Sequence, residues 1–259
     1  MRGFVVLLGL ALFACGGNVT GGTPAPAASA SPAMLDSLWN QAMQHFRNGK
    51  WAKASALFER LLLEAPANDL RVVPAHFYLA EAYFAEGDQL RAAREFRRVS
   101  DDTPNDSLAP EALMRAGDAY ADLWRRPELD PSYGQQALAT YQEVLNRFPG
   151  SRIAPRAQER LSTLQNKFAE KAFKAALFYV RLKAYDSAIL YLRDLLATYP
   201  RSTLAPQALV RLVEAYQAIG YTEEVKETCG YFRTNHPNAA DLDRVCPASL
   251  AAPVPGTSS

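Results

Sequence analysis

The hydrophobic pattern of this chain repeats along most of its length. A small residue is followed four positions later by a bulky apolar residue and twelve positions later by proline. The motif occurs five times, with a degenerate last copy: Ala54, Phe58 and Pro66; Ala92, Phe96 and Pro104; Ala137, Tyr141 and Pro149; Ala188, Leu192 and Pro200; Val225, Cys229 and Pro237. Because proline ends a helix and a small residue lets two helices approach closely, each copy predicts the second helix of a hairpin.

The residues upstream of each motif predict the first helix of the hairpin and the turn after it. Twelve positions before the small residue, three copies have another small residue: Ala42, Ala80 and Ala176. Five positions before it, three copies have glycine and the fourth has lysine: Gly49, Gly87, Gly220 and Lys183. This is the register of the tetratricopeptide (TPR) repeat. The predicted fold is all-α, a right-handed TPR-type solenoid of about five helical hairpins.

Two segments are longer than a TPR repeat of about 34 residues allows. In the third copy, an insert between the two predicted helices contains Arg125, Arg126 and Asp130. These charges are predicted either to bridge one another and shape the loop, or to contact a partner directly. Before the fourth copy, residues 157–174 predict a long helix.

The first fifteen residues predict export and a lipid anchor. Arg2 precedes an apolar run from Phe4 to Phe13, which is too short to span a bilayer and is typical of a secretory signal. Residues 12–15 resemble a bacterial lipobox, which implies lipidation of Cys15; the alternative is an ordinary signal peptide that is cut elsewhere. We therefore divide the chain into a signal peptide (1–14), a flexible tether from lipidated Cys15 (15–33), the solenoid (34–238) and a partly disordered C-terminal tail (239–259).

The charge balance argues against a polyanionic partner. The chain has 28 basic and 27 acidic residues, and loss of Arg2 with the signal peptide leaves the two numbers equal. Without an excess of positive charge, nucleic acid is not an expected partner.

The sequence contains no recognisable catalytic or metal-binding motif. His45, His76 and His236 are far apart and lack cysteine or carboxylate neighbours at ligand spacing. No phosphate loop, nucleophile elbow or dinucleotide fingerprint occurs. We predict neither an enzyme nor a cofactor, and expect the protein to act by holding other polypeptides.

The first helix of each hairpin is expected to line the concave face of the solenoid. The residues predicted to project there are Trp39, Met43, Phe77, Glu81, Phe84, Met114 and Asp118. Phe77 and Phe84 could equally belong to the core or to a groove. Arg47 is expected near them, as the partner of a peptide carboxylate or as a solvated side chain.

Cys229 and Cys246 form an even pair in a chain that is predicted to leave the cytoplasm, where disulfides persist. A bond between them would fold the C-terminal tail over the last hairpin, which lacks a following repeat to cover it. The alternative is a buried apolar Cys229 and a free thiol at Cys246.

The order of these features resembles the BamD family, the lipoproteins of the machinery that assembles β-barrels in the outer membrane. The resemblance covers residues 35–237 and rests on three segments: residues 130–151 with Asp-Pro before and Phe-Pro-Gly-Ser after the third small position, residues 173–200, and residues 208–220. It implies a non-enzymatic scaffold in the outer membrane, lipid-anchored and facing the periplasm.

The family resemblance also implies partners. C-terminal repeats would contact the barrel-forming subunit, which has soluble periplasmic repeats, and N-terminal repeats would receive unfolded outer-membrane proteins with their aromatic C-terminal signal. Tyr191 takes the place of a family arginine on the surface towards the barrel-forming subunit. The rival interpretation is a periplasmic TPR lipoprotein that coordinates cell-wall enzymes.

Overall fold

The computed structural model describes residues 31–247, which fold into helices joined by short loops. The signal peptide, Cys15, most of the predicted tether and residues 248–259 lie outside this range. The helices of the described part are α1 (Pro32–Arg47), α2 (Trp51–Glu64), α3 (Val72–Glu86), α4 (Gln89–Asp102), α5 (Ala109–Leu123), α6 (Ser132–Arg147), α7 (Ala154–Arg181), α8 (Tyr185–Thr198), α9 (Ala205–Ile219), α10 (Thr222–Asn235) and α11 (Leu242–Val245).

The first ten helices form the five predicted hairpins, and each helix packs against the one before it. The turns inside four hairpins contain a residue with positive φ, a conformation that glycine adopts without a steric penalty. These residues are Gly49, Gly87, Gly220 and, with φ of 56°, Lys183. The sequence register therefore identified the turns correctly, including the one that lacks glycine.

The small residues of the motif lie where helices cross most closely. Ala54, Ala92, Ala137 and Ala188 are all fully buried. Pro110, Pro155 and Pro206 stand in the first turns of α5, α7 and α9, where a missing N–H leaves no helical hydrogen bond unmade. The TPR-type prediction is thus confirmed by both the contacts and the helix starts.

Helix α7 is longer than the sequence analysis predicted. The expected helix at residues 157–174 and the first helix of the fourth hairpin are one continuous helix of 28 residues. No glycine or proline occurs between Arg156 and Arg181, so nothing in that segment interrupts the helix. Its first half packs beside α6, and its second half pairs with α8.

The C-terminal end of the solenoid is closed by a short cap. A disulfide joins Cys229 of α10 to Cys246, in agreement with the prediction. Leu242 and Val245 of α11 are buried in the C-terminal core, and the Gln217 side-chain amide donates a hydrogen bond to the Val245 carbonyl at 3.2 Å. The segment thus covers the apolar side of α9 that a sixth hairpin would otherwise cover.

Candidate binding surfaces

A cleft of about 460 Å³ opens where α3, α5 and α7 come together. We call it the charged cleft. Its lining residues are Phe84, Arg115, Asp118, Ala121, Asp122, Tyr141, Arg160, Thr163, Leu164 and Lys167. α3 and α5 are the first helices of the second and third hairpins, and the first half of α7 leads into the fourth, so the cleft lies on the side of the solenoid to which the first helices contribute.

A network of paired charges fixes one wall of the charged cleft. Arg115 donates from Nε and Nη2 to the two Glu81 carboxylate oxygens, each at 2.7 Å. The Tyr141 hydroxyl donates to Asp118 Oδ1 at 2.8 Å, and burial together with this carboxylate raises the pKa of Tyr141. The phenol therefore stays protonated and donating at neutral pH. Two-point pairing of this kind holds the wall rigid.

The opposite wall, on α7, carries cations that are weakly compensated. Arg160 is 57% exposed and reaches Asp118 only at 3.4 Å. Lys167 lies two turns further along, with Nζ 4.8 Å from the Trp124 ring, and donates to the Trp124 carbonyl. Burial lowers the pKa of Lys167. Among the described residues, no carboxylate forms an ion pair with Lys167, so this wall can accept an anionic group.

The residues predicted to line a peptide groove divide into two sets. Glu81 and Phe84 lie at the charged cleft, with the Arg115 guanidinium carbon 4.4 Å from the Phe84 ring centre. Trp39, Met43 and Phe77 instead pack at the edge of the N-terminal core. The Phe77 ring is 5.5 Å from the ring of Phe96, which is fully buried.

Arg47 is exposed at the end of α1, in keeping with a solvated side chain, and the cation in contact with Phe84 is Arg115. One expectation about this face was wrong. Met114 is fully buried and belongs to the central core, because the adjacent helices of the third hairpin cover it. Asp118, by contrast, does line the cleft.

The insert after α5 packs around a buried tryptophan. Trp124 is fully buried, and its ring lies 4.3 Å from that of Phe168 on α7. Gly134 of α6 makes room for it, since a Cβ at that position would lie 2.3 Å from Trp124 Cε3. Any larger residue at position 134 would push the indole out of its site.

Lysines of α7, rather than the insert's own charges, hold the insert in place. Lys171 Nζ donates to the carbonyls of Pro127 and Leu129, both at 3.0 Å, and Lys174 Nζ lies 2.5 Å from a Glu128 carboxylate oxygen. The lysine chains are long enough to reach across from the helix to the loop backbone.

The predicted bridging among Arg125, Arg126 and Asp130 is not observed. Both arginines are exposed, and neither forms an ion pair with a described residue. Asp130 instead accepts a hydrogen bond from the Ser132 backbone N–H at 3.0 Å, and hydrogen bonding to Ser132 lowers its pKa. Its carboxylate thus satisfies a free N–H at the start of α6.

A second cavity, of about 630 Å³, lies between the insert, α6, α7 and α8. We call it the apolar groove. Its lining residues are Glu128, Pro131, Gln135, Leu138, Phe168, Lys171, Ala172, Lys174, Ala175, Tyr191, Asp194 and Tyr199. The groove exists because α7 continues past α6, so that the second half of α7 has no preceding hairpin beside it.

Tyr191 stands at the rim of the apolar groove. Its ring stacks on Tyr179 with 5.3 Å between ring centres, and 37% of the residue is exposed. Three other large apolar residues of this hairpin are more exposed still: Phe178, Leu182 and Leu190. The fourth hairpin therefore exposes four large apolar side chains.

Sequence reasoning missed the basic residues of the charged cleft. Arg160 and Lys167 are seven positions apart, which places them on one face of α7, and Arg115 stands three positions before Asp118. That spacing was visible in the sequence. These residues form one cleft only because α3, α5 and α7 meet there. Spacing within a single helix does not show which other helices lie beside it.

Comparison with known proteins gives a consistent family. The model of the YfiO family, described as outer membrane lipoproteins, matches residues 33–230. The chain is 36% identical over 201 residues to the outer membrane protein assembly factor BamD of Vibrio cholerae, a match that covers 74% of this chain and 83% of that protein. It is 24% identical to BamD of Neisseria meningitidis serogroup A, over 92% of this chain and 91% of that one.

Among solved structures, the TPR domain of P58(IPK) matches with a TM-score of 0.45 and 15% identity, over 82% of this chain and 54% of that one. Within residues 31–247, no helix is long and apolar enough to cross a membrane. From the family match over residues 33–230 and the identity to its Vibrio cholerae relative, the chain belongs to the YfiO family of outer membrane lipoproteins.

Proposed function

We propose that this protein is a lipid-anchored periplasmic scaffold of the machinery that assembles β-barrel proteins in the outer membrane. One observation carries the proposal. A single continuous helix, α7, lines the charged cleft with its first half and the apolar groove with its second half. A rigid element with two chemically different surfaces can hold a substrate and a partner subunit at a fixed separation. Relatives named outer membrane protein assembly factors support this role.

The charged cleft is the proposed receptor for the ends of unfolded outer-membrane proteins. A C-terminal carboxylate would pair with Arg160 or Lys167, whose charges are weakly compensated. The aromatic residue beside it would pack on Phe84, which supplies apolar surface in the same cleft. Arg115 is already paired with Glu81, so it would position Phe84 and would not itself bind the carboxylate.

The fourth hairpin is the proposed docking surface for the barrel-forming subunit. Tyr191, Leu190 and Phe178 are exposed there, although large apolar side chains are usually buried in monomers. The position of Tyr191 is the one that the family resemblance assigns to this contact. Because arginine is replaced by tyrosine, we propose a contact that depends on ring packing in place of an ion pair.

The remaining parts of the proposal concern the anchor and catalysis. Lipidation of Cys15 would hold the solenoid at the periplasmic side of the outer membrane, in keeping with a family of outer membrane lipoproteins. A non-catalytic role is part of the proposal, and the names of the assembly-factor relatives support it. No feature of the described surfaces favours the rival role in coordinating cell-wall enzymes.

Affinity purification of the anchored protein from membranes tests the docking surface. Wild type should retain a barrel-forming subunit with soluble repeats, and Tyr191→Asp should lose most of it because the variant lacks the exposed ring and adds a charge at its place. Leu90→Asp is the control, since Leu90 is 47% exposed on α4 of the second hairpin, away from the groove. Recovery of cell-wall synthases in place of the barrel-forming subunit would contradict the proposal.

Titration with peptides tests the cleft. Phe84→Ala should weaken binding of a peptide that ends in an aromatic residue, with an unchanged helical circular dichroism spectrum. Phe178→Ala is the control, because Phe178 lies outside the charged cleft. Equal affinities of wild type and Phe84→Ala at matched salt would remove the cleft from consideration.

A further inference from the structure

Two leucines near the N-terminus are almost completely exposed. Leu63, in the last turn of α2, is 86% exposed, and Leu70, in the loop before α3, is 93% exposed. No other large apolar residue of the described chain exceeds 69%. Neither leucine lines the charged cleft or the apolar groove. Their exposure therefore has no explanation in the two surfaces described above.

The loop around Leu70 is a rigid turn, and its charged residues are turned inward. Arg71 donates from Nε and Nη2 to the Asp69 carboxylate at 2.8 and 2.7 Å, and its backbone N–H donates to the same group at 2.9 Å. The Asp69 N–H donates to the Pro66 carbonyl at 2.9 Å. The side chains of Asp69 and Arg71 are only 15% and 21% exposed, so the turn presents the leucine between them to solvent.

This turn lies beside the point where the chain arrives from the predicted anchor. Arg71 Nη1 also pairs with Asp36 in the first turns of α1, and α1 begins at Pro32. Pro32 follows Cys15 by 17 positions, a segment that spans at most about 60 Å when fully extended. The start of α1, the end of α2 and the α2–α3 loop share one edge of the solenoid, because consecutive helices run antiparallel. We call it the anchor-side edge.

Both arginines of the anchor-side edge are paired with carboxylates. Arg60 pairs with Glu64 at 2.8 Å, and Arg71 pairs with Asp69 and Asp36. Three carboxylates face these two arginines, so the group offers no free cation to a polyanion or to an acidic lipid headgroup. Neither leucine lines the cavity of about 390 Å³ between the ends of α2 and α4, so the two side chains are not part of a groove for a peptide or helix. Apolar side chains projecting beside paired charges suit the boundary between lipid headgroups and acyl chains.

We propose that Leu63 and Leu70 insert into the surface of the bilayer that holds the anchor, and so fix the orientation of the N-terminal repeats against the membrane. The proposal rests on the lipid anchor of the proposed function. It adds a second, protein-borne membrane contact whose driving force is apolar and independent of acidic lipids.

The test uses the acylated full-length protein in vesicles of phosphatidylethanolamine and phosphatidylglycerol that contain a lipid with a nitroxide near the headgroup. A bimane fluorophore is attached at Leu70→Cys, or at Ser107→Cys in the corresponding exposed loop of the next hairpin. Cys229 and Cys246 are bonded to each other, so the introduced thiol is the one available for labelling. Quenching at position 70 should exceed quenching at position 107 at least twofold.

Two further measurements separate the possible outcomes. Adding Leu63→Ser to the Leu70→Cys protein should reduce quenching at position 70, and 0.5 M salt, about tenfold above a low-salt buffer, should leave it unchanged because charge screening does not weaken apolar insertion. Equal quenching at positions 70 and 107, or loss of quenching in salt, would overturn the proposal. Flotation of the same protein with vesicles reports the lipid anchor separately, so a failed anchor and a failed leucine contact give different results.

Discussion

The two halves of α7 present different chemistry although they belong to one helix. The first half contributes Arg160 and Lys167 to a cleft whose other wall is a network of paired charges. The second half contributes Phe168 and Ala175 to a groove whose lining is mainly apolar. The difference arises from the neighbours: α3 and α5 face the first half, whereas the second half extends past α6. A helix longer than one repeat thus lines a second cavity without a change of fold.

The junction between the two halves should be the most sensitive point. Trp124 contacts both Lys167 and Phe168, so Trp124→Ala removes a buried ring that both surfaces share. We expect a loss of about 3 to 5 kcal/mol in the free energy of unfolding, measured in urea. Trp51→Ala is the control: its ring is only partly buried, so the loss should be smaller. Equal losses would mean that the junction has no special role.

Loss of the disulfide should lower the stability of the protein and leave the charged cleft unchanged. Cys246→Ser opens a loop with a sequence separation of 17 residues, which is worth about 3 kcal/mol through restriction of the unfolded chain. Urea unfolding with and without reductant measures it. Reductant should destabilise wild type and leave Cys246→Ser unaffected. Peptide binding in the charged cleft should stay at its wild-type value, because the cap lies at the other end of the solenoid.

The helical hairpins could be predicted from the sequence because each TPR repeat is defined by residues that are close together in the chain. Alanine, glycine and proline at fixed spacing set helix contacts, turns and ends, and Lys183 took the left-handed turn where glycine was absent. The fusion of two predicted helices into α7 was missed because the repeat pattern assumes a break that the residues do not contain. Glycine and proline mark helix ends where they occur, but their absence does not by itself show that two predicted helices are continuous.

The surfaces were predicted less well because they depend on which helices meet. Phe84 and Glu81 lie together at the charged cleft, and the cation that contacts both is Arg115 from the next hairpin, whereas the sequence suggested Arg47. The insert was expected to hold itself together through Arg125, Arg126 and Asp130. Instead, the insert is held by lysines of α7. Lys171, for example, donates hydrogen bonds to the backbone carbonyls of Pro127 and Leu129.

Neutralising the α7 cations should weaken peptide binding in the charged cleft and leave binding at the apolar groove unchanged. Arg160→Gln and Lys167→Gln should each weaken binding of a peptide with a free C-terminal carboxylate by about tenfold, which corresponds to about 1.4 kcal/mol. Calorimetric titration measures this. A peptide with an amidated C-terminus should bind wild type and variants alike. Retention of the barrel-forming subunit on the apolar groove should not change, and a parallel loss of both would contradict independent surfaces.

The smallest expected effect is that of salt on peptide affinity, and it distinguishes electrostatic binding in the charged cleft from apolar binding at the groove. Raising ionic strength from about 0.05 to about 0.5 M shortens the screening length from roughly 14 Å to roughly 4 Å. Arg160 is more than half exposed, so its attraction for a carboxylate should be screened, and peptide affinity should fall severalfold. The groove around Tyr191 and Phe168 relies on apolar burial, which added salt does not weaken. Binding of the barrel-forming subunit should therefore be unchanged over the same range. If salt weakened both interactions, the contact at the groove would be electrostatic. Exposed charges at its rim, such as Lys174 and Asp194, would then make the contact in place of the aromatic rings.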